Sequence, residues 1–143
     1  MDLRNLVDVT VIIVLGGMSV VAVAVIINRV FFLKKVDIEA YASLEELENA
    51  LTSYMHLLAS IGANAPYIGL LGTVMGIMAT FSSMSVDATD VAAIMAGLSS
   101  ALLATGMGLS VAIPSVFSYN ILLRNIKNKL VRWRTAQTAV ETA

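Results

Sequence analysis

Residues 65–81 read APYIGLLGTVMGIMATF, and apart from Tyr67 the only polar side chains in this run are the hydroxyls of Thr73 and Thr80. A stretch this apolar reads as a membrane-crossing helix, because roughly 20 apolar residues span the hydrocarbon core of about 30 Å. Leucine would satisfy lipid equally well, so the glycines and threonines need a separate reason. Gly69, Gly72, Thr73, Gly76 and Thr80 fall at i, i+3 and i+4 positions, which places small side chains on one helical face. Inside lipid there is no hydrophobic drive to bring helices together, and small residues let backbones approach and gain dispersion contacts.

Outward from this run, the whole chain has a membrane composition. Its 143 residues are 58% hydrophobic and 13% charged, against a soluble norm of about 45–50% apolar and about 25% charged. The mean hydropathy is +0.85. Val9 to Asn28, Asn49 to Val86 and Val91 to Leu123 contain no Asp, Glu, Lys or Arg. The N-terminus MDLRNLVDV lacks the basic character of a cleavable signal, and the apolar run after it is long enough to span, so it reads as a retained helix. There is no cysteine, so disulfides, thiol nucleophiles and zinc-thiolate sites are excluded. Net charge is −1 and the basic residues sit beside apolar runs, which leaves no footprint for nucleic acid. With one histidine, His56, and acids remote from the apolar runs, no nucleophile–base pair or metal cluster can be assembled, and an enzyme is not expected.

Three spans are expected, at about 9–27, 66–84 and 91–119, within a single domain 1–143. The first ends in Arg29, Phe31, Phe32, Lys34 and Lys35, an aromatic and basic fringe suited to an interface. An arm over about 36–65 follows, in which Ser43 and Glu46 form a capping box and Leu44, Leu47, Leu51, Met55 and Leu58 recur at helical spacing. One helix over all of Asn49 to Val86 would be about 57 Å long, so part of it must lie outside lipid. Pro66, which suits the first turn of a helix or kinks a continuous one, marks the expected start of the second span. The link SMSVDATDV contributes Asp87 and Asp90.

In the third span Gly97, Ala101, Thr105, Gly108, Ala112 and Ser115 form another small-residue face, and Pro114 is a second kink position. The tail, 120–143, carries Arg124, Lys127, Lys129, Arg132 and Arg134, with Leu122, Ile126, Leu130 and Trp133 along one side, and should continue as an amphipathic helix. Of nine Lys and Arg, all but Arg4 lie after the first span's end or after the third span. The positive-inside rule then predicts N-terminus out and C-terminus in, with arm and tail cytosolic. The fold class is an all-α membrane protein of three transmembrane helices with helical extensions into the cytosol.

Small faces serve tight packing alone, or line a conduit as well. A threonine hydroxyl bonds its own i−4 carbonyl when dry and donates to water or an ion-carrying group when wet, so it supplies polarity without charge. Thr73 and Thr105 stand near the middle of their spans. Proton-driven machinery needs an ionisable group in the membrane, and these spans hold no Asp, Glu, Lys or Arg. A proton path here needs an acid from a partner. His56, on the arm, reads as a surface or packing residue.

The two stretches APYIGLLGTVMGIMATF and GLSSALLATGMGLSVAIPSVFSYN together resemble the signature helices of the ExbB/TolQ/MotA family of proton-channel stator subunits, with the ExbB branch the nearest. The resemblance covers essentially the whole chain. It implies a homo-oligomer of the bacterial inner membrane, a pentamer, whose second and third helices surround a central pore. It further implies an ExbD-type single-span partner whose aspartate carries the proton, with protons as the coupling ion, no bound cofactor, and TonB energised for import of iron-siderophores and vitamin B12. Thr73 in GLLGTVMGIM and Thr105 in ALLATGMGL match the family's pore-lining threonines, and Ser100 and Thr80 are the other candidate lining residues. Gly69, Gly72, Gly76, Gly97, Ala101, Gly108 and Ala112 are the candidate packing residues. Ser100 stands where many ExbB and TolQ members have a glutamate, which argues against an obligatory carboxylate at that place. The chain is shorter than typical members, and its three spans disfavour MotA, which has four. A TolQ-type subunit of the Tol-Pal system and a non-conducting membrane scaffold are the alternatives.

Overall fold

The computed structural model describes residues 3–82 and 91–141. Among these residues the regular elements are all helices: α1 spans Leu3–Lys35, α2 Leu44–Thr52, α3 Met55–Ser82 and α4 Val91–Glu141. Three stretches, Asn5–Lys35, Met55–Ser82 and Val91–Ala139, are long and apolar enough to cross a membrane. The link with Asp87 and Asp90, and the end of the second span at Met84, lie outside the described residues.

The helices are longer than the apolar runs they contain, because backbone hydrogen bonding continues where packing supports it. On α1, Val7, Val11, Leu15, Ala22, Val25 and Leu33 form one buried stripe, while Ile12, Ile13, Val20 and Phe31 are exposed. An apolar helix with only a stripe buried has an outer face suited to lipid or to another subunit. α4 continues without interruption from the small-residue segment into the basic tail. There Leu122 and Ile126 are buried, and Leu130 and Trp133 pack against the same cluster.

The arm departs from the sequence expectation. The leucine spacing reads as one helix, but the structure breaks it between α2 and α3, and Tyr54 turns at φ 61°. At the start of α2, the Ser43 hydroxyl accepts the Glu46 backbone N–H at 3.2 Å, the capping contact expected of this pair. Helix α3 then starts at Met55, not at Pro66, so the last part of the arm and the second apolar segment are one helix. Pro66 removes only the bond to the Gly62 carbonyl. Burial of Ile61, Gly62, Ala65 and Gly69 around it holds the helix together through that gap. α4 runs through Pro114 in the same way, and beside it the Ser115 hydroxyl donates to the Val111 carbonyl at 2.7 Å.

α3 and α4 make the most extensive contact, α1 lies across both, and α2 folds back onto α4. Two apolar clusters result. One joins Val7, Val11 and Leu15 of α1 to Ala65, Ala104 and Ala112. The other joins Ala22, Val25 and Leu33 to Leu47, Leu51, Met55, Leu58, Ile61, Leu122 and Ile126.

Candidate functional site

The α3–α4 contact is made by backbone meeting backbone. A Cβ added at Gly69 would lie 2.7 Å from the Ala104 carbonyl oxygen and 3.1 Å from the Gly108 Cα. One added at Gly108 would lie 2.6 Å from the Ala65 carbonyl oxygen. Neither neighbour is a side chain that can turn away, so only glycine fits this crossing. Along the same seam Gly72 abuts Ala104 and Val11 of α1, and Gly76 abuts Ala101. Gly97 abuts Thr80. Ala101 and Ala112 are buried.

One helical turn beyond Gly69, the crossing brings Thr73 to Thr105. Their hydroxyl oxygens are 2.6 Å apart. Thr73 Oγ1 is also 2.9 Å from the Ala101 carbonyl and 3.3 Å from the Gly69 carbonyl. Thr105 Oγ1 reaches the Gly69 carbonyl at 3.4 Å. Thr73 is 8% exposed, whereas Thr105 is only half-buried. The pair therefore has an inner member and an outer one.

Each hydroxyl has one proton and accepting lone pairs, so two arrangements are open. In the first, Thr105 donates to Thr73 and Thr73 donates to the Ala101 carbonyl, which leaves the Thr105 oxygen as an outward acceptor. In the second, Thr73 donates to Thr105, and the Thr105 proton goes to the Gly69 carbonyl at 3.4 Å or to a group that approaches its half-buried side. Switching requires rotation of two hydroxyls and strands no buried group, since Ala101 lies inside α4 and Gly69 inside α3, where each carbonyl has its helical N–H partner. Such a pair accepts from a protonated acid and donates to the ionised one. It cannot hold a proton itself, because no carboxylate, amine or imidazole occurs in 57–86 or 91–123.

The other candidate residues are placed differently. Thr80 is buried, donates to the Gly76 carbonyl at 2.9 Å and lies in the helix contact against Gly97. It is therefore turned into the seam and not toward an open face. Ser100 is half-buried on α4 and is not joined to the threonine pair. His56 is exposed. On the tail, Arg124, Lys127, Arg132 and Arg134 are exposed and Lys129 is half-buried. Lys129 and Arg132 join Lys34 at the polar end of a groove of about 410 Å³ between α1 and α4, whose apolar walls include Ile26, Val30 and Phe117. No group of acids and histidines able to hold a metal ion occurs among the described residues.

Sequence reasoning missed Arg29. It reads as part of an exposed basic fringe, yet it is 4% exposed, and its Nη1 donates to the Ala50 carbonyl at 3.0 Å. The signal was present, since Arg29 lies seven residues after Ala22 and four before Leu33, on the buried stripe of α1. Gly62 was missed too. It extends the row of Gly69 by two turns and packs on Val116.

Residues 20–135 match the family described as the MotA/TolQ/ExbB proton channel family. The chain is 50% identical over 123 residues to a biopolymer transport protein ExbB of Helicobacter pylori, covering 85% of each chain. It is 41% identical over 133 residues to the biopolymer transport protein ExbB of Aquifex aeolicus, covering 92% of this chain and 90% of that one. A Tol-Pal system protein TolQ of Pseudomonas aeruginosa is 42% identical over 74 residues, covering 51% of this chain and 32% of that protein. With the hydroxyl pair lying within the matched segment, and with relatives this similar over most of their length, the chain belongs to the MotA/TolQ/ExbB proton channel family.

Proposed function

We propose that this chain forms the uncharged wall of a proton path whose titrating group is an aspartate on an ExbD-type single-span partner. The observation that carries this reading is the Thr73–Thr105 hydroxyl pair, 2.6 Å apart in helices that hold no acid at that depth. When the partner aspartate is ionised, Thr105 donates to it; when it is protonated, Thr105 accepts from it. The pair thus follows the proton without binding it. Several copies, a pentamer by family resemblance, would supply a ring of such pairs around the partner helices. Each ring position offers the aspartate the same uncharged contact, so the partner can move between positions as the proton comes and goes.

In this reading the chain sits in the bacterial inner membrane with its N-terminus outside and its C-terminus in the cytosol, as the placement of lysine and arginine favours. It converts proton-motive force into work on TonB for outer-membrane import. Similarity over 85% of the chain to an ExbB, against 51% to a TolQ, favours the TonB branch over a Tol-Pal role. The basic tail faces anionic headgroups, and the groove ending in Lys34, Lys129 and Arg132 offers such a lipid both a charged end and an apolar wall.

The test is proton flux in proteoliposomes containing the chain with and without its partner. Flux that requires the partner and falls in the Thr73→Val, Thr105→Val double variant supports the reading. Flux absent in both preparations makes the chain a non-conducting scaffold. Flux that survives the double variant rejects the hydroxyl pair as the wall.

A further inference from the structure

At the end of α2 the sequence and the structure disagree, and Arg29 stands where they do. The spacing of Leu44, Leu47, Leu51, Met55 and Leu58 suits one unbroken helix, in which the Ala50 carbonyl would accept the Tyr54 backbone N–H. Tyr54 instead takes φ 61°, and it is the one non-glycine residue with positive φ among the described residues. A bulky residue rarely adopts this conformation unless its surroundings over-determine it. The Ala50 carbonyl, released by the break, accepts Arg29 Nη1 at 3.0 Å. The guanidinium carbon lies 5.3 Å from the centre of the Tyr54 ring and 4.9 Å from that of Phe32. A cation at a helix C-terminus also meets the negative end of the helix dipole.

We propose that Arg29 is a positioning residue, a latch that holds the α2–α3 elbow open against the helical preference of the arm. It replaces the hydrogen bond that the break removes and stacks on the residue that makes the break. Its buried Nε has no hydrogen-bond partner among the described residues, so full solvation of the cation is not what places it there. The functional consequence rests on the reading above. α3 is one helix from Met55 through Thr73, a lever of about 27 Å at 1.5 Å per residue. A small change of angle at the elbow therefore shifts Thr73 against Thr105.

Because the chain has no cysteine, paired cysteines introduced at the exposed Glu45 and Lys127, in copies diluted with excess cysteine-free chain so that each complex carries one labelled pair, allow clean spin labelling of α2 and α4 in the full chain with its partner in nanodiscs. The expected result is a narrow distance distribution that lengthens in Arg29→Met by a helical pitch, about 5 Å, or more. Arg29→Lys keeps the charge but lacks the planar fork and the ring stacking, so it should behave like Arg29→Met. Adding Tyr54→Gly to Arg29→Met should restore the short distance, since glycine takes positive φ without strain. Proton flux should fall several-fold in Arg29→Met and Arg29→Lys and recover in the double variant. An unchanged distance in Arg29→Met, or full rescue by lysine, overturns the latch. A lengthened distance with unchanged flux overturns its link to the threonine site while leaving the proton-path reading intact. If the unmodified complex conducts nothing, that reading fails, and the distance measurement still decides the latch.

Discussion

Between α3 and α4 the backbone of Gly69 meets that of Gly108 with no side chain between them. At the elbow, by contrast, Leu47, Leu51, Met55 and Leu58 fill the space together with Leu122 and Ile126. Under the membrane placement proposed above, the difference follows from the solvent that competes with each contact. In lipid a leucine gains nothing by leaving the hydrocarbon, so association comes from close approach, and close approach requires residues that are hardly there. Where water competes, each fully buried leucine side chain contributes about 1.5–3 kcal/mol. The close approach has a second effect, because it is what brings two threonine hydroxyls to 2.6 Å. Packing and chemistry in the seam are therefore the same feature, while packing at the elbow touches that chemistry only through the direction of α3.

The comparison can be broken most severely at Gly108. Gly108→Leu forces a side chain into the Ala65 carbonyl and the Gly69 backbone, and no folded complex should be recovered after detergent extraction and size-exclusion chromatography. Next, Leu51→Ala should destabilise the elbow cluster by about 2–5 kcal/mol. Its effect should stay local, as faster amide exchange across Leu44–Thr52 with amides around Thr73 still protected. Exchange spreading into the seam would show that the two regions open as one unit.

A smaller stability change with a larger functional one is expected at the hydroxyls. Thr73→Val removes a hydrogen bond worth about 0.5–1.5 kcal/mol to the fold. In Thr105→Val the lost contact is the one to the partner's ionised carboxylate, worth about 1.5–3 kcal/mol, so flux should drop roughly ten- to a hundredfold. Thr105→Ser, which keeps the hydroxyl, should restore most of it. Ser43→Ala should cost α2 about 1 kcal/mol through loss of its cap, read by amide exchange, with little change in flux. Ser100→Ala should be mildest, within about 0.5 kcal/mol, because serine has no titration to lose. A Ser100→Ala variant that abolished flux would show that the proton path uses this chain as well as its partner.

Much of the architecture was legible in residue order. Stretches without charge mark the three long apolar helices, and glycine at i, i+3 and i+4 marks the faces on which they meet. Ser43 with Glu46 marks the start of α2. The elbow was not legible, since its leucines keep helical period straight through the break. Where α2 ends, the Ala50 carbonyl accepts from Arg29, on another helix. Thr80 illustrates the same limit from the other side. It shares a face with Thr73, yet it packs on Gly97 and donates to the Gly76 carbonyl.

Residue order by itself determined that this chain has three helices able to cross a membrane, a small-residue face on two of them, and no acid of its own in 57–86 or 91–123. These are properties of single segments, set by side-chain transfer energies and helical period. Only the tertiary structure decided which threonine meets which, that Thr73 is the inner and Thr105 the outer hydroxyl, and that the arm bends at Tyr54. Each of these depends on the rotation and register of one helix against another. Backbone approach at Gly69 and Gly108 sets the first, and a cation from α1 sets the last.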